Sequence, residues 1–313
     1  MPNLKNIILN KISGIKTIYP DSVAFEKYIH IERGEAANPL VAFIPETSDE
    51  LQKIILSLNE IKLGAVIFAG NTGLVSAQRA ENEAVIDLND LSNLISVELS
   101  NGQKFNFSKI KASHQKKADK WYDEFKTWLE ENKLANFSDA RVVTEAGVPV
   151  GTINYILSLA GIEVPVDTGA VGVAWGMSAG AAVANASHGT YGLLYGKASD
   201  LVLNVKSING NGSKREDILE IKTIKTSDDE VVINSAKPQY GDSAIGTQGT
   251  FAVIYEVTFQ TKPLPLHRNY FLLKLNDLSK VNEIKKSIQD KFSQGLLQME
   301  LIDRFSIEQI GRA

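Results

Sequence analysis

Apolar and polar positions change period several times along the chain, and each change marks an element. The spacing predicts a helix over Leu4–Lys16 and a strand over Leu40–Ile44 that Pro45 stops. Thr47-Ser48-Asp49-Glu50 reads as an N-cap run ahead of an amphipathic helix, Glu50–Ile61. Gly64 breaks that helix, and strands follow at Ala65–Phe68, Ala84–Leu88 and Leu94–Leu99. A β-α-β opening with more strands after it predicts an α/β start whose first two strands run parallel.

Residues 101–138 differ in character and read as a helical insertion. Lys116, Lys117, Lys120, Trp121, Tyr122, Phe125, Trp128 and Leu129 suit one amphipathic helix with an aromatic face and a basic flank. That face either packs on its own domain, the usual fate of such helices, or docks on a membrane or partner. A strand at Arg141–Ala146 and a helix at Thr152–Ala160 come next. Leu201–Ile208 and Ile218–Thr226 flank Asn209-Gly210-Asn211-Gly212, a hairpin signal. A strand at Thr250–Gln260 precedes Lys262-Pro263-Leu264-Pro265, the best linker. Beyond it the pattern predicts a strand at Tyr270–Leu275, a helix at Leu278–Phe292 and a strand running into a helix over Leu296–Ile310.

Composition narrows the function. The chain has 313 residues, 43% of them hydrophobic and 22% charged, which suits roughly two domains with packed cores. Zero cysteines exclude disulfides, thiolate metal sites, iron–sulfur clusters and a cysteine-linked cofactor. A net charge of −4 argues against nucleic acid as the main partner. There is no run of membrane-span length and no signal-peptide order, so a cytoplasmic protein is the simplest reading, with peripheral membrane attachment left open.

Three segments carry candidate chemistry. Ala69-Gly70-Asn71-Thr72-Gly73-Leu74-Val75-Ser76 directly follows a strand. Its glycines let an anion approach main-chain N–H groups, as a pyrophosphate cradle requires; it is neither a Walker loop nor a GxGxxG fingerprint, and the plain alternative is a surface turn. Tiny residues dominate Pro165–Gly172 and Ser178–Gly189, a composition that lets backbone lie against a bulky planar ligand or simply pack tightly. Ile245-Gly246-Thr247-Gln248-Gly249-Thr250-Phe251 is a third glycine turn entering a strand. No His/Asp/Glu spacing makes a metal site.

Taken in order, these segments resemble the PCMH-type FAD-binding domain of the vanillyl-alcohol-oxidase/p-cresol-methylhydroxylase flavoprotein superfamily, nearest its D-lactate, D-2-hydroxyglutarate and glycolate dehydrogenase branch. The resemblance rests on Tyr19-Pro20-Asp21, Pro39–Thr47, Gly70–Leu74, Val85–Leu91, Thr144–Val148, Tyr195–Leu203 and Gly246–Thr250. Several departures stand out. Ala179-Gly180 replaces the usual Gly-Gly, and Asn185-Ala186-Ser187-His188-Gly189 is one residue longer than the family step and resembles the aldonolactone-oxidase branch. Gln248 takes the place of an acid, and Ile302-Asp303-Arg304 is as far as the second domain goes.

The resemblance implies a two-lobed α+β domain over residues 1–262, with 263–313 starting an α+β cap. It implies that Ala69, Gly70, Asn71, Thr72, Gly73, Leu74, Val75 and Ser76 hold the FAD pyrophosphate through backbone N–H groups. Gly169, Gly172 and Val173 would line the flavin and ribityl chain. Gly180, Ala184, Asn185 and Gly189 would pack on the isoalloxazine or diphosphate, and Val253 and Ile254 would meet the adenine. Some relatives tether FAD through a histidine in the pyrophosphate loop; this loop has none, so FAD is expected to be non-covalent. His188 is expected to cap its loop rather than act as acid or base, and His30, His114 and His267 to lie on the surface or between domains.

The implied activity is oxidation of a small D-2-hydroxy acid such as D-lactate, with hydride passing to flavin N5, a catalytic base not identified in this chain and an electron acceptor left unnamed. The alternative from another class is an FAD-binding subunit or truncated domain that needs a partner chain for turnover. A short-cap reductase like the cell-wall enolpyruvyl reductases fits the motifs less well.

Overall fold

The computed structural model describes residues 12–30, 36–73, 78–111, 113–135, 137–166, 175–187, 189, 191–219, 221–225, 230–234 and 244–267, and beyond these 269, 271, 273–275, 277–292, 295, 296 and 299. The first lobe is a sheet of β1 (Lys16–Ile18), β2 (Val41–Ile44), β3 (Ala65–Phe68) and β4 (Ala84–Asp87) in the order β1-β2-β4-β3. β2 and β3 run in the same sense, as the pattern requires, but both pair with β4, which lies between them; β1 closes the edge antiparallel.

Helix α1 (Ser48–Glu60) makes the crossover from β2 to β3. The Thr47 side chain accepts the Glu50 N–H, and Asp49 and Glu50 place negative charge in the first turn, where the helix dipole favours it. Its inner stripe, Leu51, Ile54, Ile55 and Leu58, is buried. β2 and β4 are buried along their whole length because both faces are covered. Phe43 and Ile86 face the main core, while Ala42 and Val85 join Phe25, Tyr28, Phe68 and Ala80 in a second core on the opposite face. The expected helix over Leu4–Lys16 falls mainly outside the described residues, and its last residue begins β1 instead.

The second lobe follows in chain order: β5 (Leu94–Leu99), β6 (Lys104–Asn106), α2 (His114–Glu131), β7 (Ala140–Glu145), α3 (Val150–Leu157), β8 (Ile162–Glu163), α4 (Ala179–Ala184), α5 (Gly192–Tyr195), β9 (Val202–Asn209), β10 (Lys214–Ile218), β11 (Ile221–Lys225), β12 (Glu230–Asn234) and β13 (Ala252–Gln260), after which come β14 (Lys262–Pro263) and α6 (Val281–Phe292). Six strands form one sheet in the order β10-β9-β13-β7-β5-β6, with every neighbouring pair antiparallel. β11 pairs with β12, and β14 with β8.

The aromatic face of α2 packs on its own lobe. Trp121, Phe125 and Leu129, four residues apart, are 1%, 0% and 4% exposed, which removes them from any membrane or partner surface. Phe105 and Phe107 pack against Phe125, and the Trp121 indole N–H donates to the Ser108 carbonyl at 2.9 Å. Burial of rings of this size stabilises by about 1.5–3 kcal/mol each.

Two expectations need correction. The turn at Asn209–Gly212 does form a hairpin, but β9 pairs with Lys214–Ile218, not with Ile218–Thr226. A tight turn closes on the residues next to it, and the later apolar stretch starts the separate β11–β12 pair. The strand expected at Tyr270–Leu275 is absent among its described residues, and Phe271 and Leu273 are exposed, so no partner edge receives them. Lys262-Pro263, read as linker, is tied to Ile162–Glu163 by a short ladder. The segment Leu296–Ile310 lies almost wholly outside the described residues.

Candidate functional site

The lobes meet along loops poor in side chains. The loop leaving β3 carries Ala69, Gly70, Asn71, Thr72 and Gly73; Leu74, Val75 and Ser76 lie outside the described residues. A Cβ on Gly70 would sit 1.6 Å from the Gly176 carbonyl oxygen, and a Cβ on Gly176 would sit 2.9 Å from the Thr72 methyl. Backbone therefore runs against backbone here, and a side chain at Gly70 would pry the lobes apart. Asn71 takes a left-handed φ of +52°, a backbone reversal of the kind that anion-binding turns use. Its side chain is held at both ends: the amide donates to the His30 carbonyl at 3.3 Å, and its oxygen accepts from Gln78 at 2.6 Å.

Beneath this loop, the carboxylate of Asp87 at the end of β4 is fully buried. It accepts from Lys27 Nζ at 2.7 Å, Tyr28 Oη at 2.6 Å, the Asn89 N–H at 3.0 Å and Asn89 Nδ2 at 2.7 Å. Burial, and then the adjacent Asp87, hold the Tyr28 hydroxyl far above its ordinary value, so Tyr28 stays a donor. Asn89 Nδ2 also donates to the Ala69 carbonyl at 3.1 Å.

On the other side, the C-terminal end of α4, with Ala184 and Asn185, meets the turn before β13. The Gly246 N–H donates to the Val183 carbonyl at 3.1 Å and the Gln248 N–H to the Ala184 carbonyl at 2.9 Å, while a Cβ on Gly249 would lie 3.0 Å from Ile67 of β3. The glycine turn thus touches both α4 and the first lobe. Gly180 has a packing reason of its own, since a Cβ there would lie 2.6 Å from the Ala146 side chain. The Ser178 hydroxyl caps α4 by accepting the Ala181 N–H.

Asn185 caps the far end of α4, its side chain turned back on the Ala181 carbonyl. Gly189 is described and half-buried. Gly169, Gly172, Val173 and His188 lie outside the described residues. Val253 and Ile254 are buried on β13, paired with Ile208 and Ser207 of β9, so their backbone is engaged in the sheet on that side. The structure therefore brings Gly70 and Thr72 against Gly176, and the 246–249 turn against Ala184 and Ile67; it does not show Val253 and Ile254 in contact with either.

A separate polar cluster lies where α2 begins. Lys117 is buried, and its Nζ donates to the Ser92 carbonyl and hydroxyl at 3.1 and 2.9 Å. Burial lowers its pKa, and lowers that of His114 one turn earlier with Lys117 adding to the effect. Burial raises Glu145, whose Oε2 accepts the Asn93 N–H at 2.6 Å and side-chain amide at 2.8 Å. Among the described residues no His, Cys, Asp and Glu group is arranged to hold a metal ion.

Residues 128–216, from the end of α2 to β10, match the family model described as FAD binding domain. That stretch is similar to an FAD-binding domain. Over 275 residues the chain is 24% identical to a mitochondrial D-lactate dehydrogenase [cytochrome] of Arabidopsis thaliana, covering 84% of this chain and 39% of that protein. It is also 24% identical over 241 residues to a D-2-hydroxyglutarate dehydrogenase of Xanthomonas citri pv. viticola, covering 76% and 40%. The chain thus spans about two fifths of these curated relatives.

The fold matches that of the wild-type BBE-like 1 protein of Physcomitrella patens, with TM-score 0.52 at 14% identity over 83% of this chain and 44% of that one. It also matches 6-hydroxy-D-nicotine oxidase of Arthrobacter nicotinovorans, with TM-score 0.50 at 15% identity over 80% and 42%. The seam fits the group in one respect: Gly70 and Gly176 meet backbone to backbone with no room for a Cβ, which suits a ligand held by main chain rather than by side chains. The sequence reading had no means of finding Tyr28, Lys27 or Gly176; the only local trace of the Asp87 bonds is the Asp87-x-Asn89 spacing.

Proposed function

We propose that this chain is the FAD-holding part of a flavin-dependent oxidoreductase that oxidises a small D-2-hydroxy acid, of which D-lactate is the first to test. The single observation that carries the reading is the close backbone contact of Gly70 with Gly176, at the head of the glycine loop that leaves β3. The two curated relatives, both acting on D-2-hydroxy acids by name, support the substrate class.

When bound, FAD would supply the hydride acceptor at flavin N5. The chain's own part is to bind and orient. By the resemblance, Ala69–Ser76 would hold the pyrophosphate through backbone N–H groups, and Gly169, Gly172 and Val173 would line the flavin and ribityl chain. Gly180, Ala184, Asn185 and Gly189 would pack on the isoalloxazine or diphosphate, and Val253 and Ile254 would meet the adenine through backbone groups. The pyrophosphate loop offers no nucleophilic histidine or cysteine, so FAD is held without a covalent bond. The buried Asp87 side chain, at the end of the strand beside the loop, pairs with Lys27.

A second reading has the same unit working with further polypeptide that supplies the substrate groups. The share of the relatives' length spanned, 39% and 40%, favours it. One experiment separates the two. The purified chain is saturated with FAD and mixed anaerobically with D-lactate, D-2-hydroxyglutarate or glycolate. Bleaching of the flavin band supports the first reading, and bound flavin that stays oxidised with all three supports the second. A chain that takes up no FAD refutes both. Acid precipitation is expected to leave the flavin in the supernatant; a yellow pellet overturns non-covalent binding.

A further inference from the structure

We infer that Asp87 and Asn89 are positioning residues that hold the phosphate-binding loop in its anion-ready shape before the cofactor arrives; this rests on the FAD reading above. Asp87 is the last residue of β4 and pairs with Phe68, the last residue of β3, so it lies directly beside the point where the loop departs. Oδ2 is taken by Lys27 and Tyr28, and Oδ1 by both the backbone N–H and side-chain amide of Asn89. The carboxylate thereby fixes Asn89 in one rotamer. The same Asn89 amide reaches the Ala69 carbonyl, the first acceptor of the loop.

Stability alone is a weak reason for this arrangement. Burying a carboxylate is costly, and apolar replacements of buried ion pairs are often neutral or stabilising. What distinguishes Asp87 is where its hydrogen bonds lead. The Ala69 carbonyl is held by Asn89, and, two residues on, Asn71 is pinned between His30 and Gln78. Both ends of the Ala69–Asn71 stretch are then fixed, and binding loses little loop entropy.

The test uses the full chain with Asn89→Ala, and Asp87→Asn as a second variant. Three probes are titrated: FAD and ADP, which carry the diphosphate, and riboflavin, which does not. For Asn89→Ala the FAD and ADP affinities are expected to fall about tenfold or more, the scale of one well-placed hydrogen bond, with riboflavin affinity unchanged. An FAD affinity equal to the wild type's overturns the proposal. So does a loss of riboflavin affinity by the same factor, which would mean general damage. If riboflavin binds too weakly to read, the urea midpoint of the unliganded chain replaces it: a midpoint near the wild type's supports the brace, and one that collapses with the FAD affinity overturns it. Failure of the wild type itself to bind FAD would instead sink the cofactor reading, and the brace with it.

Discussion

Gly70→Ala is the sharpest probe of the seam between the lobes. The added Cβ would stand 1.6 Å from the Gly176 carbonyl oxygen and 2.6 Å from its carbon. Ordinary contact begins near 3.4 Å, so the two strands of backbone must separate by about 1.8 Å. Neither partner has a flexible tip to give way. The Met177 carbonyl, next to Gly176, accepts the Val150 N–H at 2.9 Å, and the Ala69 carbonyl is held by Asn89. Overpacking of this kind costs about 1–3 kcal/mol. At roughly 2–4 °C per kcal/mol, the thermal midpoint should fall by several degrees. FAD affinity should fall more than the loss of stability suggests, because the displaced residues belong to the proposed pyrophosphate cradle. Differential scanning fluorimetry and flavin-fluorescence titration read the two quantities. Gly210→Ala is the control, since a Cβ there meets nothing within 4 Å. A Gly70→Ala protein with the wild-type midpoint and FAD affinity would refute the claim that backbone contact at this point shapes the site.

Gly212→Ala should cost about 1–3 kcal/mol, since φ is +82° and the new Cβ would lie 2.3 Å from Leu56 Cδ2; adding Leu56→Ala should recover the steric part but not the backbone part, as a double-mutant urea cycle would show. Tyr28→Phe removes a 2.6 Å bond to the buried Asp87 carboxylate and should cost about 1.5–3 kcal/mol by urea denaturation; no measurable loss would mean the hydroxyl is idle. His114 titrates below its ordinary 6.5 because burial, then Lys117, disfavour its charge, so between the lowered value and 6.5 the unfolded chain holds more protons and stability rises with pH. His114→Asn should therefore flatten the change in urea midpoint between pH 5 and 7.5, and an unchanged slope would assign that slope elsewhere.

The sequence was most legible where one face of an element decides its fate. Thr47 and the stripe Leu51, Ile54, Ile55, Leu58 announce α1, and Trp121, Phe125 and Leu129 announce the buried face of α2. The β9–β10 turn was readable from Asn209–Gly212, but its register was not: Lys214–Ile218 is alternately exposed and polar and lacks an apolar run, so pairing there is set by the turn. Strands of two or three residues, such as β6, β8 and β14, carry no period to read. The glycines of the site stood out because missing side chains are visible in any sequence. The Asp87 bonds to Lys27 and Tyr28 did not, since they join residues 60 and 59 positions apart and depend on β4 lying beside the 3-10 turn Val23–Tyr28. Lys117 reads as part of a basic flank and turns inward because Ser92 offers two acceptors there.

The strand order of the larger sheet has a consequence for how the chain reaches its fold. β13 is the last of its six strands to be synthesised, yet it lies inside the sheet, with β9 on one side and β7 on the other. Until residue 260 has left the ribosome, β5–β6–β7 and β9–β10 are two half-sheets, each with an open edge of unpaired N–H and C=O groups. Closure then requires contacts between residues more than a hundred positions apart, Gln260 with Arg141 among them, which makes it a slow, high-contact-order event. Chains halted before β13 should therefore be prone to aggregation in a way that chains halted soon after it are not.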